Sequence, residues 1–231
     1  MKLKLQHTIA AILLIVSLGA PLTVAAGPLE DAGAAYGKGD YATALRLLGP
    51  LADQGSAKAQ TILGVMYANG QGVPQNSSEA MKWYRLAADQ GNAAAQTALG
   101  VIYANGLGVP KDQPKAVEWT RKAADQGYAN AQNNLGNMYA RGEGVPQNYG
   151  EAIKWYRLAA DQGYASAQNN LAMMYNSGRG VQQNYAEGIK WSRLAAEQGL
   201  AAAQYELAFA YANGQGVSQN YTSLPNSPAG A

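Results

Sequence analysis

One phrase recurs five times in this chain at an interval of 36 residues. It reads Ala-Gln-x-x-Leu, then Tyr, then Gly-x-Gly, and in its first four copies it continues to a Trp and an Ala-Ala pair. The glutamines of the phrase are Gln60, Gln96, Gln132, Gln168 and Gln204. All four tryptophans of the chain occupy one position of the repeat: Trp83, Trp119, Trp155 and Trp191. Such a register predicts a stack of similar units, each covering the apolar face of its neighbour.

Each unit is predicted to be two helices joined by a glycine loop. In the first unit, Ala59, Leu63 and Tyr67 recur at a spacing of four, which is one stripe of an α-helix. Residues 69–72 then end this helix, because their glycines readily adopt positive φ. A second helix follows, and Ser77 or Ser78 is expected to cap it. The fold class is therefore an all-α solenoid.

Small residues inside the helices predict close helix packing. Gly64 and its copies Gly100 and Gly136 each cost about 1 kcal/mol relative to alanine within a helix. That cost is acceptable where two helix backbones approach closely. Each tryptophan is expected to fill the space that the small residues leave, burying about 200 Å².

The two ends depart from the repeat. Residues 27–55 lack the tryptophan and the long loop, and they are predicted to form an N-terminal capping helix pair. Repeats span 56–221, as four full copies and one half. Where the fifth copy would begin its second helix, Pro225 and Pro228 forbid a regular helix, and residues 222–231 are predicted to be a disordered tail.

Residues 1–26 are predicted to be a secretory signal peptide that is cleaved after Ala26. A basic start precedes a short apolar run and small residues, and an uncleaved membrane anchor is the alternative. The signal peptide holds the one histidine of the chain, His7, and the chain has no cysteine. Loss of Lys2 and Lys4 leaves 15 basic and 15 acidic residues, which gives no electrostatic footprint for nucleic acid or for anionic lipid.

The repeated phrase resembles the Sel1-like repeat family, a relative of the tetratricopeptide repeat. The departures are mild: Ala172 and Ala208 replace the helix glycine, and Gly188 replaces an alanine. The resemblance implies a right-handed α/α superhelix whose inner face is lined by the first helices. It also implies a non-enzymatic adaptor in the bacterial cell envelope, most often periplasmic, that needs no cofactor or metal and binds a protein or peptide.

The same resemblance places the partner on the concave face of the first helices, at four positions of each repeat. We expect an extended peptide to bind there through asparagine amides, which offer both donors and an acceptor. Solvated asparagines without a role are the alternative. The predicted binding residues are Lys58, Thr61, Val65, Asn69, Thr97, Val101, Asn105, Asn130, Asn133, Asn137, Arg141, Asn169, Met173, Tyr205 and Phe209.

Phe209 is the one phenylalanine of the chain, and it lies on the helix that lacks a partner. An exposed apolar patch there would mark a surface for a partner or for self-association. The alternatives are that the tail covers the patch or that the gene was cut short.

Two other functions are alternatives to the scaffold, namely β-lactam hydrolysis and glycan binding. Some relatives were proposed to act on β-lactam antibiotics, but the chain has no Ser-x-x-Lys and no Lys-Thr-Gly, and a Ser-His triad is impossible after the loss of His7. A carboxylate pair among Asp89, Asp125, Asp161 and Glu197 is conceivable, although these residues occupy one turn position of the repeat. Binding to cell-wall glycan is the third possibility, but the aromatic residues lie mostly at fixed repeat positions, which are typical of a core.

Overall fold

A computed structural model describes residues 27–216, and every helix in that range is α-helical. The predicted signal peptide and tail lie outside the described residues. Eleven helices follow one another in this part of the chain, and it contains no strand: α1 Pro28–Gly37, α2 Tyr41–Asp53, α3 Ala57–Asn69, α4 Ser77–Asp89, α5 Ala93–Asn105, α6 Gln113–Asp125, α7 Ala129–Arg141, α8 Tyr149–Asp161, α9 Ala165–Ser177, α10 Tyr185–Glu197 and α11 Ala201–Asn213. None of these helices is long and apolar enough to cross a membrane.

The helices pair as the repeat predicts, and the all-α solenoid is confirmed. The first helix of each repeat packs against the second helix of the same repeat, as α3 does against α4 and α9 against α10. Within each compact unit, the second helix also packs against the next first helix, as α4 does against α5 and α10 against α11. The chain forms two compact units, and the boundary between the first and the second unit lies between Gln126 and Gly127.

Glycines end the first helices as predicted. Gly70, Gly106, Gly142, Gly178 and Gly214 each follow a first helix with φ between 64° and 70°. This left-handed conformation lets the backbone turn out of the helix without a Cβ clash.

The cap of the second helix lies one residue earlier than predicted. Asn76 precedes α4, and its Oδ1 accepts hydrogen bonds from the backbone N–H groups of Ser78 at 3.0 Å and Glu79 at 3.1 Å. Ser77 is already the first residue of the helix. The same cap recurs at Asp112, Asn148 and Asn184, so an Asn or Asp side chain begins every described second helix of the repeats.

The helix glycines do mark a close approach, but the side chain that they admit is a tyrosine at Gly64 and Gly136 and Thr120 at Gly100. A Cβ added at Gly64 would lie 2.6 Å from the Tyr84 ring, and one at Gly136 would lie 2.6 Å from the Tyr156 ring. Both rings are buried in the core. Trp83 and Trp155, which were expected to fill this space, are only half-buried.

The departure at Ala172 has the same explanation. Ala172 lies on α9 at the position of Gly64, and the residue at the position of Tyr84 in that repeat is Ser192. Both Ala172 and Ser192 are buried. Ser192 is far smaller than a tyrosine and leaves room for the Ala172 methyl group, whereas the second repeat keeps a glycine, Gly100, opposite the small Thr120.

Candidate partner-binding surface

The glutamine that recurs in every repeat is a structural residue that joins neighbouring helices. Gln60 is buried, and its Nε2 donates to the Ala52 carbonyl at 3.0 Å, at the end of the preceding second helix. Its Oε1 accepts a 2.8 Å bond from Gln90, which follows the second helix of its own repeat. The acceptor side of this clamp recurs in every full repeat, from Gln126 to Gln96, from Gln162 to Gln132 and from Gln198 to Gln168. A single amide thus ties three helices together, and it is not available to a partner.

The predicted binding residues divide into three classes of exposure. The exposed ones are Lys58, Asn105, Arg141, Met173, Tyr205 and Phe209. Those that are half-buried are Asn69, Val101, Asn130 and Asn137. The buried ones are Thr61, Val65, Thr97, Asn133 and Asn169.

The five buried residues are not accessible on the surface, contrary to the predicted binding face. Val65 has no exposed area, and the hydroxyl groups of Thr61 and Thr97 donate to carbonyls of their own helices at 2.7 and 2.8 Å. These side chains cannot contact a partner unless the helices separate. The tetratricopeptide offset therefore does not mark a wholly open face in this chain, because two of its four positions point into the stack in the first repeat.

The asparagines of α7 and α9 form an internal network. Asn170 Nδ2 donates to Asn133 Oδ1 at 2.9 Å and to Asn137 Oδ1 at 3.3 Å. The Tyr156 hydroxyl also donates to Asn137 Oδ1, at 2.9 Å, and Asn134 Nδ2 donates to Asn130 Oδ1 at 2.9 Å. Burial raises the pKa of the Tyr156 phenol to about 12, so this group stays protonated as a donor. The Oδ1 atoms of Asn130, Asn133 and Asn137 accept these hydrogen bonds inside the protein, and peptide recognition by the asparagine amides stays a prediction.

The bond from Asn170 to Asn133 shows which way this position faces. Asn133 lies on α7 and Asn170 on α9, so the amides cross from one first helix to the next first helix. Asn133 is 5% exposed and Asn169, its copy one repeat later, is 8% exposed. The next copy is Tyr205 on α11, and it is 70% exposed.

Three large apolar side chains are exposed on the last two first helices of the described chain. They are Met173, which is 48% exposed, Tyr205 and Phe209, which is 49% exposed. Met173 and Phe209 occupy one repeat position, and Tyr205 lies four residues before Phe209 on the same stripe of α11. We call these three residues the C-terminal apolar surface, and all three are among the predicted site residues.

An arginine position links neighbouring repeats, and the sequence analysis missed it. Arg85 Nη2 donates to the Tyr103 hydroxyl at 3.1 Å, and its guanidinium lies 4.9 Å from the centroid of the Trp119 ring. Arg157 makes the same pair of contacts with Tyr175 and Trp191. The signal was present, because Arg85, Arg121, Arg157 and Arg193 recur at the repeat interval two residues after each tryptophan.

Exposed leucines on the second helices were also missed. Leu86, Leu158 and Leu194 occupy one repeat position and are 39–49% exposed. In the second repeat this position is Lys122, which pairs with Glu118 at 2.8 Å.

The candidate carboxylates do not assemble into a pair of catalytic type. Asp89, Asp125, Asp161 and Glu197 are the last residues of four different helices, and each is exposed. Within residues 27–216, no three side chains of metal-binding type lie together.

This succession of paired helices, joined by glycine loops and clamped by one buried glutamine per repeat, defines an α-solenoid repeat protein. The Sel1 repeat family matches residues 57–92, 93–128, 129–164, 165–200 and 201–223, and the chain belongs to that family.

Solved structures of other proteins have a similar fold. A protective antigen of uropathogenic Escherichia coli is 40% identical with a TM-score of 0.77, and the match covers 84% of this chain but 43% of the antigen. A Sel1 repeat protein of Oxalobacter formigenes is 35% identical with a TM-score of 0.77, and the match covers 84% of this chain and 77% of that one. An immunity protein of Pseudomonas aeruginosa shares the fold alone, at 21% identity over 83% of this chain and 73% of its own, with a TM-score of 0.57. No curated protein matches the chain.

Proposed function

We propose that this chain is an exported scaffold that binds a protein partner of the bacterial envelope through its C-terminal apolar surface. Sel1 repeat proteins are in general scaffolds for protein interaction, and the family is typically non-enzymatic. The observation that carries the choice of surface is the exposure of Tyr205, at a position that is buried in every earlier repeat.

The chemistry of this surface suits a protein partner. Tyrosine and phenylalanine contribute large contact areas and are enriched at interfaces. A partner that presents an apolar helix or strand would cover Met173, Tyr205 and Phe209, while the Tyr205 hydroxyl would keep a hydrogen bond at the rim. The proposed surface does not include the other exposed or half-buried residues of the predicted set, whose role stays a prediction: Lys58, Asn69, Val101, Asn105, Asn130, Asn137 and Arg141.

Photocrosslinking at Tyr205 tests the proposed surface. The full chain is produced in its bacterial host with benzoylphenylalanine in place of Tyr205, and a matched sample carries the crosslinker at the exposed Arg46 on α2. We expect a protein adduct from position 205 that is absent from position 46 and that is lost on Phe209→Ser.

Two results would contradict the proposal. No adduct at position 205 would remove the partner surface. An adduct with twice the mass of the chain would instead establish self-association through α11.

Export is a separate part of the proposal, and it is supported by the sequence pattern of residues 1–26. The intact mass of the protein recovered from the periplasm is expected to correspond to a chain that begins at Gly27. Ala26→Trp should block cleavage, because signal peptidase requires a small residue there. An unprocessed wild-type chain in the membrane fraction would show an anchor instead.

Hydrolysis of a β-lactam is the alternative function, and it makes its own prediction. Purified full-length protein would hydrolyse nitrocefin, and a carboxylate change such as Asp161→Asn would abolish the activity. Binding to insoluble peptidoglycan that survives Tyr205→Ser would favour the glycan alternative.

A further inference from the structure

The second helices carry a surface that the proposed function does not use. A shallow groove in the first compact unit lies between α4 and the loop that joins α5 to α6. Five side chains of α4 line one wall, and the loop supplies the other. We call it the outer groove, and its principal lining residues are Met81, Lys82, Arg85, Leu86, Gly108 and Val109.

The loop is held tightly against the start of α4. Gly108 has φ +75°, and a Cβ added there would lie 2.7 Å from Ser77 Cβ. The far wall of the groove, which includes Val109, is therefore fixed by the packing of the repeat. Leu86 remains 49% exposed in this position, so the floor of the groove is apolar and open to solvent.

Cationic groups stand beside the apolar floor. Lys82 pairs with Glu79 at 2.5 Å, but its side chain is 68% exposed, and surface pairs of this kind contribute only about 0–1 kcal/mol. Arg85 is held by the Tyr103 hydroxyl and the Trp119 ring. Its guanidinium has five donors, and no described carboxylate lies within ion-pair distance of it. No carboxylate lines the groove.

The spacing of the cationic and apolar side chains on α4 indicates what kind of ligand the groove could bind. Lys82 and Leu86 are four residues apart, as are Met81 and Arg85, so a cationic and an apolar point lie within one turn of each other on the surface of α4. We infer that the outer groove binds a protein segment in which an acidic side chain lies within about one helical turn of a large apolar side chain. The apolar side chain contacts Leu86 and Val109, and the carboxylate is held by Arg85 and Lys82.

The second compact unit repeats the same set. At the corresponding positions it has Ile153, Lys154, Arg157, Leu158, Gly180 and Val181. Lys154 pairs with Glu151 at 2.5 Å and Leu158 is 48% exposed, as in the first unit. The second repeat differs, because Glu118 and Lys122 replace the lysine and the leucine and pair with each other. The fourth repeat has Lys190, Arg193 and Leu194 at these positions, so this combination of residues occurs in three of the four full repeats.

An anionic membrane fits these observations less well than an acidic protein segment. Basic and acidic residues are nearly equal in number in the chain, at 17 and 15. Binding to a membrane would require a larger unpaired positive field. The inference rests on the scaffold role that is proposed above, but it does not depend on the C-terminal apolar surface.

Peptide selection with a matched charge control tests the inference. Random dodecapeptides displayed on phage are selected against the purified full chain, and enriched peptides are synthesised and titrated by fluorescence anisotropy. We expect the enriched peptides to combine Asp or Glu with Leu, Ile or Phe within one turn. The variant with Lys82→Glu, Leu86→Ser, Lys154→Glu, Leu158→Ser and Leu194→Ser should bind them at least about tenfold more weakly, because it removes the apolar contacts and reverses two of the charges.

The control variant carries Lys38→Glu and Arg46→Glu, which make the same change in charge at exposed positions away from the groove. It should bind as the wild type does, and circular dichroism should be unchanged in both variants. Binding that also survives Tyr205→Ser and Phe209→Ser separates this site from the C-terminal apolar surface. Enriched peptides without acidic residues, equal binding by the groove variant, or no enrichment at all would overturn the inference. Cosedimentation with phosphatidylglycerol vesicles that is lost in the groove variant would assign the groove to lipid instead.

Discussion

The same repeat position behaves in opposite ways in the middle of the second unit and at its last helix. On α7 and α9 the position is asparagine, and it is buried. On α11 it is Tyr205, which is exposed. On α7 a neighbouring first helix brings an amide to meet this position, since Asn170 donates to Asn133. The difference teaches that this position belongs to the joint between repeats, and that its side chain is exposed on α11, where none of the described residues covers it.

The largest effect is expected when a bulky side chain is introduced at one repeat position, on α7 and on α11. Gly136→Leu on α7 places a side chain where even a Cβ would lie 2.6 Å from the Tyr156 ring and 3.2 Å from the Ala152 carbonyl. We expect a loss of about 3 kcal/mol in the free energy of unfolding, measured by urea denaturation. Ala208→Leu makes a comparable change on α11, where Ala208 is half-buried, and it should cost less than about 1 kcal/mol.

A double variant sharpens that result. The fourth repeat combines Ala172 with Ser192 where the third has Gly136 with Tyr156. Tyr156→Ser should therefore relieve the crowding caused by Gly136→Ala, and the two changes together should cost about 1 kcal/mol less than the sum of the singles. Additive costs would show that the glycine and the tyrosine do not act as a pair.

The interior amide network gives the next largest contrast. Asn170→Ala removes the donor to both Asn133 and Asn137 and leaves their oxygens with fewer partners inside the protein. The expected cost is about 1–2 kcal/mol, since a buried acceptor that loses its donor retains its desolvation penalty. Glu206→Ala, at the same repeat position on α11, should change the stability by less than about 0.5 kcal/mol. Equal costs at both positions would contradict the distinction between joint and end.

The tyrosine of the network predicts a pH effect of similar or smaller size. Burial raises the pKa of Tyr156 to about 12 from an ordinary value of 10.0. Because the folded pKa is the higher one, the contribution of this group is fully present below pH 10 and is lost as the pH rises toward 12. Tyr156→Phe should make the free energy of unfolding, measured by urea denaturation, fall less steeply between these pH values, by up to about 1 kcal/mol per pH unit. An unchanged slope would place the alkaline instability elsewhere.

The order of helices and their glycine turns could be predicted from the sequence, because 36-residue recurrence reports the local structure five times over. The caps were placed one residue late, since Asn76, Ser77 and Ser78 are all good capping residues and only the backbone shows which one precedes the helix. The direction in which Thr61, Val65 and Asn133 point could not be predicted. An offset taken from the tetratricopeptide pattern identifies a stripe on a helix, but it does not show whether another helix covers that stripe.

The last prediction compares Tyr205 on α11 with Asn133 on α7. A change at Tyr205 should affect stability little and binding strongly. Tyr205→Asn gives α11 the residue type of Asn133 and Asn169 without filling or emptying any core position, because the Tyr205 side chain is 70% exposed. The free energy of unfolding should change by less than about 0.5 kcal/mol, while the protein adduct formed from a crosslinker at position 209 should disappear. The matched change Asn133→Tyr forces a ring into a position that is 5% exposed, so it should destabilise the protein by about 1–3 kcal/mol. If Tyr205→Asn left the adduct intact, the tyrosine would be an ordinary surface residue and α11 would differ from the interior only in lacking a neighbour among the described residues.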